Sequence, residues 1–154
     1  MNVETAKAKT IVFVEDNPVV LMAYRNRLER EGFHVEPAKD GLEAMKLLSK
    51  IVPDVVILDL MLPKFNGPEV LKFIHSTPRL NTVCVIILST NSILEASDEY
   101  LLERANKRLL KSSCTPAIML RAIQESLANP TAKDGSKSSE SKTVDILAGV
   151  NVAA

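Results

Sequence analysis

Cysteine is scarce in this chain, and neither sign of charge predominates. Cys84 and Cys114 are the only cysteines in 154 residues, too few for a disulfide framework, and Cys84 sits in an apolar run where it reads as a small core residue. Nineteen basic and nineteen acidic residues cancel to a formal net charge of zero. The basic stripe of a nucleic-acid binder is therefore missing, and no direct nucleic-acid contact is expected. His34 and His75 are far apart, without metal-ligand spacing, and are assigned to the surface. No run approaches the ~18 apolar residues of a membrane helix, and Met1–Lys9 is too polar for a signal peptide. The expectation is a soluble, cytoplasmic protein with no membrane contact. A chain of 154 residues suits one domain of ~100–150 residues plus a short extension. A domain of that size folds without disulfides or metal.

What the chain does have is alternation. Apolar runs at Ile11–Val14, Val55–Leu58 and Val83–Leu88 are continuous, as strands buried on both faces of a parallel sheet are. His34–Ala38 and Arg108–Leu110 are shorter and more polar. They read as edge strands, and Pro37 supports this for the first, since proline cannot donate to a ladder.

Helices fill the gaps. Asn17 caps the first, with Pro18 at its first position, Leu21, Tyr24 and Leu28 on one face, and Gly32 as its stop. Asp40 caps a second through Lys50, with Ala44, Leu47 and Leu48 inward. A third starts near Pro68 and carries Val70, Leu71 and Ile74; a fourth runs from about Ile93 to Asn106. Thr115 and Pro116 open a fifth, with Met119, Ala122, Ile123 and Leu127 inward. Met22, Met45 and Met119 read as packing residues. The pattern predicts an α/β fold: a doubly wound five-stranded parallel sheet, flavodoxin-like in its order 2-1-3-4-5, with helices on both faces. Residues 1–8 form an N-terminal extension, 9–129 the domain and 130–154 a flexible C-terminal tail rich in Ser, Lys and Gly at its start. Its end, Val144–Ala154, reads either as a frayed terminus or as a short docking segment. No internal repeat is evident.

In that strand order, chemistry belongs at the carboxyl ends of the central strands. Strand one ends in Glu15-Asp16 and strand three in Asp59, so three carboxylates converge. Each like-charged pair at ~4 Å costs about 4 kcal/mol at an effective dielectric of 20. The fold tolerates this only where positive charge arrives. Hard oxygen ligands, with no His or Cys nearby, point to magnesium. Ser89 adds a hydroxyl at the end of strand four and Lys111 an ammonium at the end of strand five. The set suits a phosphoryl group on a carboxylate, with Asp59 as nucleophile and Ser89 and Lys111 binding phosphoryl oxygens.

Over Lys9–Leu127 the chain resembles the response-regulator receiver family of two-component signalling, including the single-domain chemotaxis regulators. The resemblance rests on Val14-Glu15-Asp16-Asn17, on Asp59-Leu60-Met61-Leu62-Pro63 with Gly67, on Leu88-Ser89-Thr90, and on Lys111. The separations, thirty residues from Asp59 to Ser89 and twenty-two from Ser89 to Lys111, match as well. The resemblance implies that Asp59 accepts a phosphoryl group from a histidine kinase or phosphotransfer protein. It implies magnesium on Asp16, Asp59 and the Met61 backbone carbonyl, with Glu15 acting through water. Ser89 would then move toward the phosphate and repack the face of helix four, strand five and helix five for a downstream target protein; that face also offers a homodimer contact. The domain would catalyse its own phosphorylation and slow dephosphorylation, and is not a turnover enzyme.

Several positions depart from the family. Arg108 stands where an aromatic is usual, so the aromatic relay is lost; Arg108 is expected to stay outside as part of a binding surface. Ser112 follows Lys111 where the family carries a proline joined by a cis peptide. A cis bond before serine costs about 3–4 kcal/mol, so the loop either carries that strain or is rearranged. Thr90 is bulkier than usual and narrows access to Asp59, and Arg104 replaces a glycine. Asn91 and Met61 flank the approach of hydrolytic water and influence phosphoryl lifetime. These changes support a second reading, a phosphorylation-independent pseudo-receiver acting as a constitutive interaction module. An aspartyl-phosphate hydrolase would carry its nucleophile after the first strand, and a flavin phosphate would be repelled by Glu15-Asp16.

Overall fold

A computed structural model of the chain describes residues 6–62, 64, 67–90 and 103–133. Their elements run β1 (Thr10–Val14), α1 (Pro18–Arg30), β2 (His34–Ala38), α2 (Gly41–Leu48), β3 (Val55–Asp59), α3 (Gly67–Ser76), β4 (Cys84–Ser89), β5 (Lys107–Leu110) and α4 (Pro116–Ala128). The five strands form one sheet in the order β2-β1-β3-β4-β5, each neighbouring pair parallel. Alternate residues of each strand feed opposite cores. Val12, Val14, Val56 and Leu58 pack with Ala44, Leu48, Leu71 and Ile74 of α2 and α3. Ile11, Phe13, Val55 and Ile57 pack with Tyr24, Leu28, Met119 and Ile123 of α1 and α4. That is why the central strands read as unbroken apolar runs.

The helix starts follow from short polar side chains. Asn17 Oδ1 accepts from the amides of Val19 and Val20 at 3.0 and 3.3 Å, and Pro18 costs nothing at a position whose amide has no partner. Asp40 accepts from Glu43 N at 2.8 Å, and Thr115 from Ile118 N at 3.2 Å. Gly32, at φ +93°, takes the left-handed turn that ends α1.

Some expected boundaries shift. Helix α2 stops at Leu48 rather than Lys50, because the Ser49 hydroxyl takes the Lys46 carbonyl at 2.6 Å and Arg79 donates to the freed carbonyl of Leu48. Of the fourth helix, Ile93–Leu102 lies outside the described residues, and Glu103–Asn106 is turn and bend rather than helix. Asn106 is already committed to the sheet: its amide donates to Val85 O at 2.8 Å and its Oδ1 accepts from Val85 N at 2.9 Å. The side-chain Nδ2 of Asn106 donates to the carbonyls of Pro130 and Ala132, each at 2.9 Å, tying residues just beyond Asn129 to the sheet. Met119 is buried and Met45 half-buried, but Met22 is exposed and does not pack in the core. Arg108 is half-buried on β5 rather than wholly outside. No described helix is long and apolar enough to cross a membrane.

Gly67 begins α3 against the end of β3, its amide donating to Leu60 O at 3.2 Å. A Cβ there would lie 2.6 Å from Leu60 Cα and 3.1 Å from Asp59 O. Backbone cannot yield as a flexible side chain can, so Gly67→Ala is expected to destabilise by about 1–3 kcal/mol. A urea unfolding midpoint matching that of the wild type would contradict this reason for the glycine.

Candidate functional site

Sheet register builds the site. Val14 pairs with Leu58, so the next residues along, Glu15 and Asp59, emerge side by side. Asp59 pairs with Leu88 and Ser89 with Leu110, which brings Ser89 and Lys111 to the same rim. One carboxylate oxygen from each of Glu15, Asp16 and Asp59 falls within 4.8 Å of the others. Glu15 and Asp59 are each 1% exposed, whereas Asp16 faces solvent. Separations of that order between like charges cost several kcal/mol in a partly buried setting.

Lys111 supplies the compensation. Its Nζ donates to Asp59 Oδ2 at 2.5 Å and to Glu15 Oε1 at 3.1 Å. Glu15 Oε2 is 3.0 Å from the same nitrogen, a charge contact without hydrogen-bond geometry. Backbone amides add two more donors: Met61 N donates to Asp59 Oδ1 at 3.0 Å, and Asn17 N to Glu15 Oε1, the oxygen that Lys111 also holds, at 3.1 Å. Burial raises the Glu15 pKa, and the charge of Asp59 adds to that, against the opposing pull of Lys111 and Asn17. Burial by itself would depress Lys111, but Asp59 and Glu15 outweigh it and hold the ammonium above its ordinary pKa.

Three carboxylates against one ammonium leave a formal charge of −2. Among the described residues, Glu15 Oε2 is the buried side-chain polar atom without a hydrogen bond. An all-oxygen donor set with that charge and a spare buried oxygen fits a hard divalent cation of the magnesium type. Met61 stands beside Asp59 through its backbone, with its side chain exposed. Ser89 ends β4 half-buried, and Thr90 is exposed at the lip of an apolar pocket of about 650 Å³ that Lys111 also borders.

Two contacts were not legible in the sequence. Glu15, read from the sequence as a metal-site residue acting through water, is also an ion-pair partner of Lys111, 96 residues away. The Tyr24 hydroxyl, expected only on a packed face, donates to Cys114 O at 2.9 Å. Among the described residues no peptide is cis. The chain after β5 instead makes a 3-10 turn at Lys111–Ser113, the rearranged form of the loop.

The response regulator receiver domain model matches residues 11–124. Over 81 residues the chain is 31% identical to the polar-differentiation response regulator DivK of Brucella anthropi, covering 53% of this chain and 66% of that protein. DivK of Brucella ovis matches to the same extent, so the chain spans just under two thirds of the length of these relatives. Among solved structures, the signal receiver domain of a signal transduction histidine kinase from Syntrophus aciditrophicus is similar with a TM-score of 0.69 and 26% identity, over 79% of this chain and 91% of that one. The receiver domain of the sensor histidine kinase PA1611 from Pseudomonas aeruginosa, a structure with a magnesium ion coordinated in its active site cleft, is similar with a TM-score of 0.71 and 24% identity over 79% of this chain and 99% of that one. Chemotaxis response regulator CheY4 of Vibrio cholerae has a TM-score of 0.69 and 24% identity over 77% of this chain and 98% of that one. At that identity, the last two speak for the fold alone.

The raised pKa of Glu15 has a sign that can be measured. Its folded form holds a proton more tightly than the unfolded chain, so its contribution to stability is complete below the ordinary Glu range. That contribution is lost as pH rises through the folded value. Without divalent cation, stability is expected to fall as pH climbs from the ordinary Glu pKa toward neutrality, and Glu15→Gln to flatten that slope. Urea unfolding across the same pH range is the check; parallel curves for both proteins would contradict the assignment.

Proposed function

The chain belongs to the response regulator receiver domain family, and we propose that Asp59 is its phosphoacceptor, switched by a histidine kinase or phosphotransfer protein. The observation that carries this reading is the buried carboxylate of Asp59, gripped by the Lys111 ammonium at 2.5 Å and flanked by Glu15 and Asp16. A structural ion pair would need one acid; three are hard to explain without a charge that comes and goes.

In the proposed reaction an Asp59 carboxylate oxygen attacks the phosphorus of a phosphohistidine. The new O–P bond forms as the P–N bond breaks, and the electron pair leaves with the imidazole nitrogen. Magnesium, held by Asp16, Asp59 and the Met61 carbonyl with Glu15 behind them, would offset the negative charge of the incoming group. An ammonium has three donors, so Lys111 can keep Glu15 while turning to a phosphoryl oxygen. Ser89, on the neighbouring strand end, would donate its hydroxyl to another. The apolar pocket beside Lys111, walled by Val19, Ala23, Tyr24 and Pro116, suits the apolar face of a phosphodonor helix.

Phosphorylation exchanges the single negative charge of the Asp59 carboxylate for nearly two on the phosphoryl group and brings three strong acceptors. Drawn toward them, Ser89 and Lys111 would shift β5 and the start of α4, where Arg108 and the exposed Leu110 stand, and so alter the surface offered to a downstream protein. The intact acids, Ser89 and Lys111 speak against a phosphorylation-independent module. The reaction modifies the protein itself rather than turning over an external substrate.

Incubation with acetyl phosphate followed by intact mass tests the reading. The wild type is expected to gain one phosphoryl group with magnesium and none without it, and Asp59→Asn to gain none. Incorporation undiminished in Asp59→Asn would move the acceptor elsewhere.

A further inference from the structure

The loop that carries Lys111 holds itself weakly. Cys114 N donates to Lys111 O at 3.4 Å, and the Ser113 hydroxyl reaches Leu110 O at 3.4 Å, both at the long limit of hydrogen bonding. Ser112 and Ser113 contribute no ring-locked φ. The strong constraint comes from another part of the chain: the Tyr24 hydroxyl donates to Cys114 O at 2.9 Å across 90 residues of sequence.

Tyr24 is well placed to act as a fixed post. The residue is 6% exposed, and its ring packs on Phe13 with centroids 5.4 Å apart. Phe13 lies on β1 two residues before Glu15, the carboxylate that shares Lys111 with Asp59. One rigid pair, β1 with α1, therefore holds both the loop beyond Lys111 and one of the oxygens the ammonium meets. Burial also pushes the phenol far above its ordinary pKa, so the hydroxyl stays a donor. Core packing explains the ring but not the hydroxyl.

We propose that the Tyr24 hydroxyl is a positioning group for Lys111, setting through the Cys114 carbonyl where the ammonium meets Asp59. The inference rests on the reading of Asp59 as phosphoacceptor. Tyr24 touches no reacting atom and acts only through the loop.

Tyr24→Phe removes the hydroxyl and keeps the ring. Phosphorylation from phosphoramidate with magnesium would be followed in the wild type, Tyr24→Phe, Lys111→Ala and the double variant. Tyr24→Phe is expected to lower the maximal rate roughly two- to tenfold, the worth of one hydrogen bond, with the half-saturating donor concentration unchanged. In the Lys111→Ala background it should cause no further loss. A wild-type rate in Tyr24→Phe, or an equal loss in both backgrounds, would overturn the proposal. A second readout is independent of phosphorylation: the Lys111 ammonium resonance in NMR should be protected in the wild type and lose that protection in Tyr24→Phe. If the wild type takes up no phosphoryl group but this resonance responds, the positioning role stands and the Asp59 reading falls. A resonance unchanged by the substitution overturns the positioning role itself.

Discussion

The Lys111 ammonium between Glu15 and Asp59 is the contact on which the rest of the site depends. Two carboxylates with almost no solvent exposure, and a third at their side, would repel one another strongly in a partly buried setting. One ammonium offsets part of that repulsion and is itself stabilised by it, which is why its proton is held more tightly than usual despite burial. Breaking such a pair on one side leaves an uncompensated buried charge. Lys111, Glu15 and Asp59 therefore act as a unit, and their shared geometry matters more than any one of them.

That geometry is a product of topology. Parallel strands in the order β2-β1-β3-β4-β5 put all five carboxyl ends on one rim, and β1, β3, β4 and β5 carry the site residues there. The registers place Glu15 beside Asp59, and Ser89 just past the neighbour of Asp59. Apolar strand residues filling both cores leave the strands little freedom to slide, since a slip of one residue would turn every side chain to the wrong face. Gly67 adds a local condition: α3 approaches Leu60 and Asp59 so closely that a methyl group would collide with backbone. Polar chemistry at the rim is thus held in place by apolar chemistry beneath it.

How much of this could be read from residues alone depends on the range of the interaction. The central strands were legible because burial on both faces leaves an unbroken apolar signature, and the helix starts because Asn17, Asp40 and Thr115 act on amides two or three residues away. The acidic cluster was legible once strand order was inferred, since strand ends carry their residues to one edge. Helix ends were less legible: α2 ends where Ser49 and the distant Arg79 claim its carbonyls. The pairing of Glu15 with Lys111 and the bond from Tyr24 to Cys114 span 96 and 90 residues and leave no local trace. Replacing the family's proline with Ser112 signalled that this loop departs from the usual form, but not what holds it instead.

The loop after β5 also shows how such a site can be both stable and responsive. If the apolar cores alone fixed every part of the rim, the arrangement could not answer a change of charge. Here the acids are anchored by strand ends and backbone amides, while the balancing cation rides on a turn with few hydrogen bonds of its own. A formal charge of −2 left after pairing favours the arrival of a cation. A phosphoryl group on Asp59 would then give Lys111 a stronger partner than the carboxylate it now holds. Under the proposed function, the rigid side of the site stores the charge imbalance and the tethered side converts a change in it into movement. A tether made of one phenolic hydrogen bond suits that task, since it restrains the resting loop at a cost small enough for a new phosphate contact to overcome.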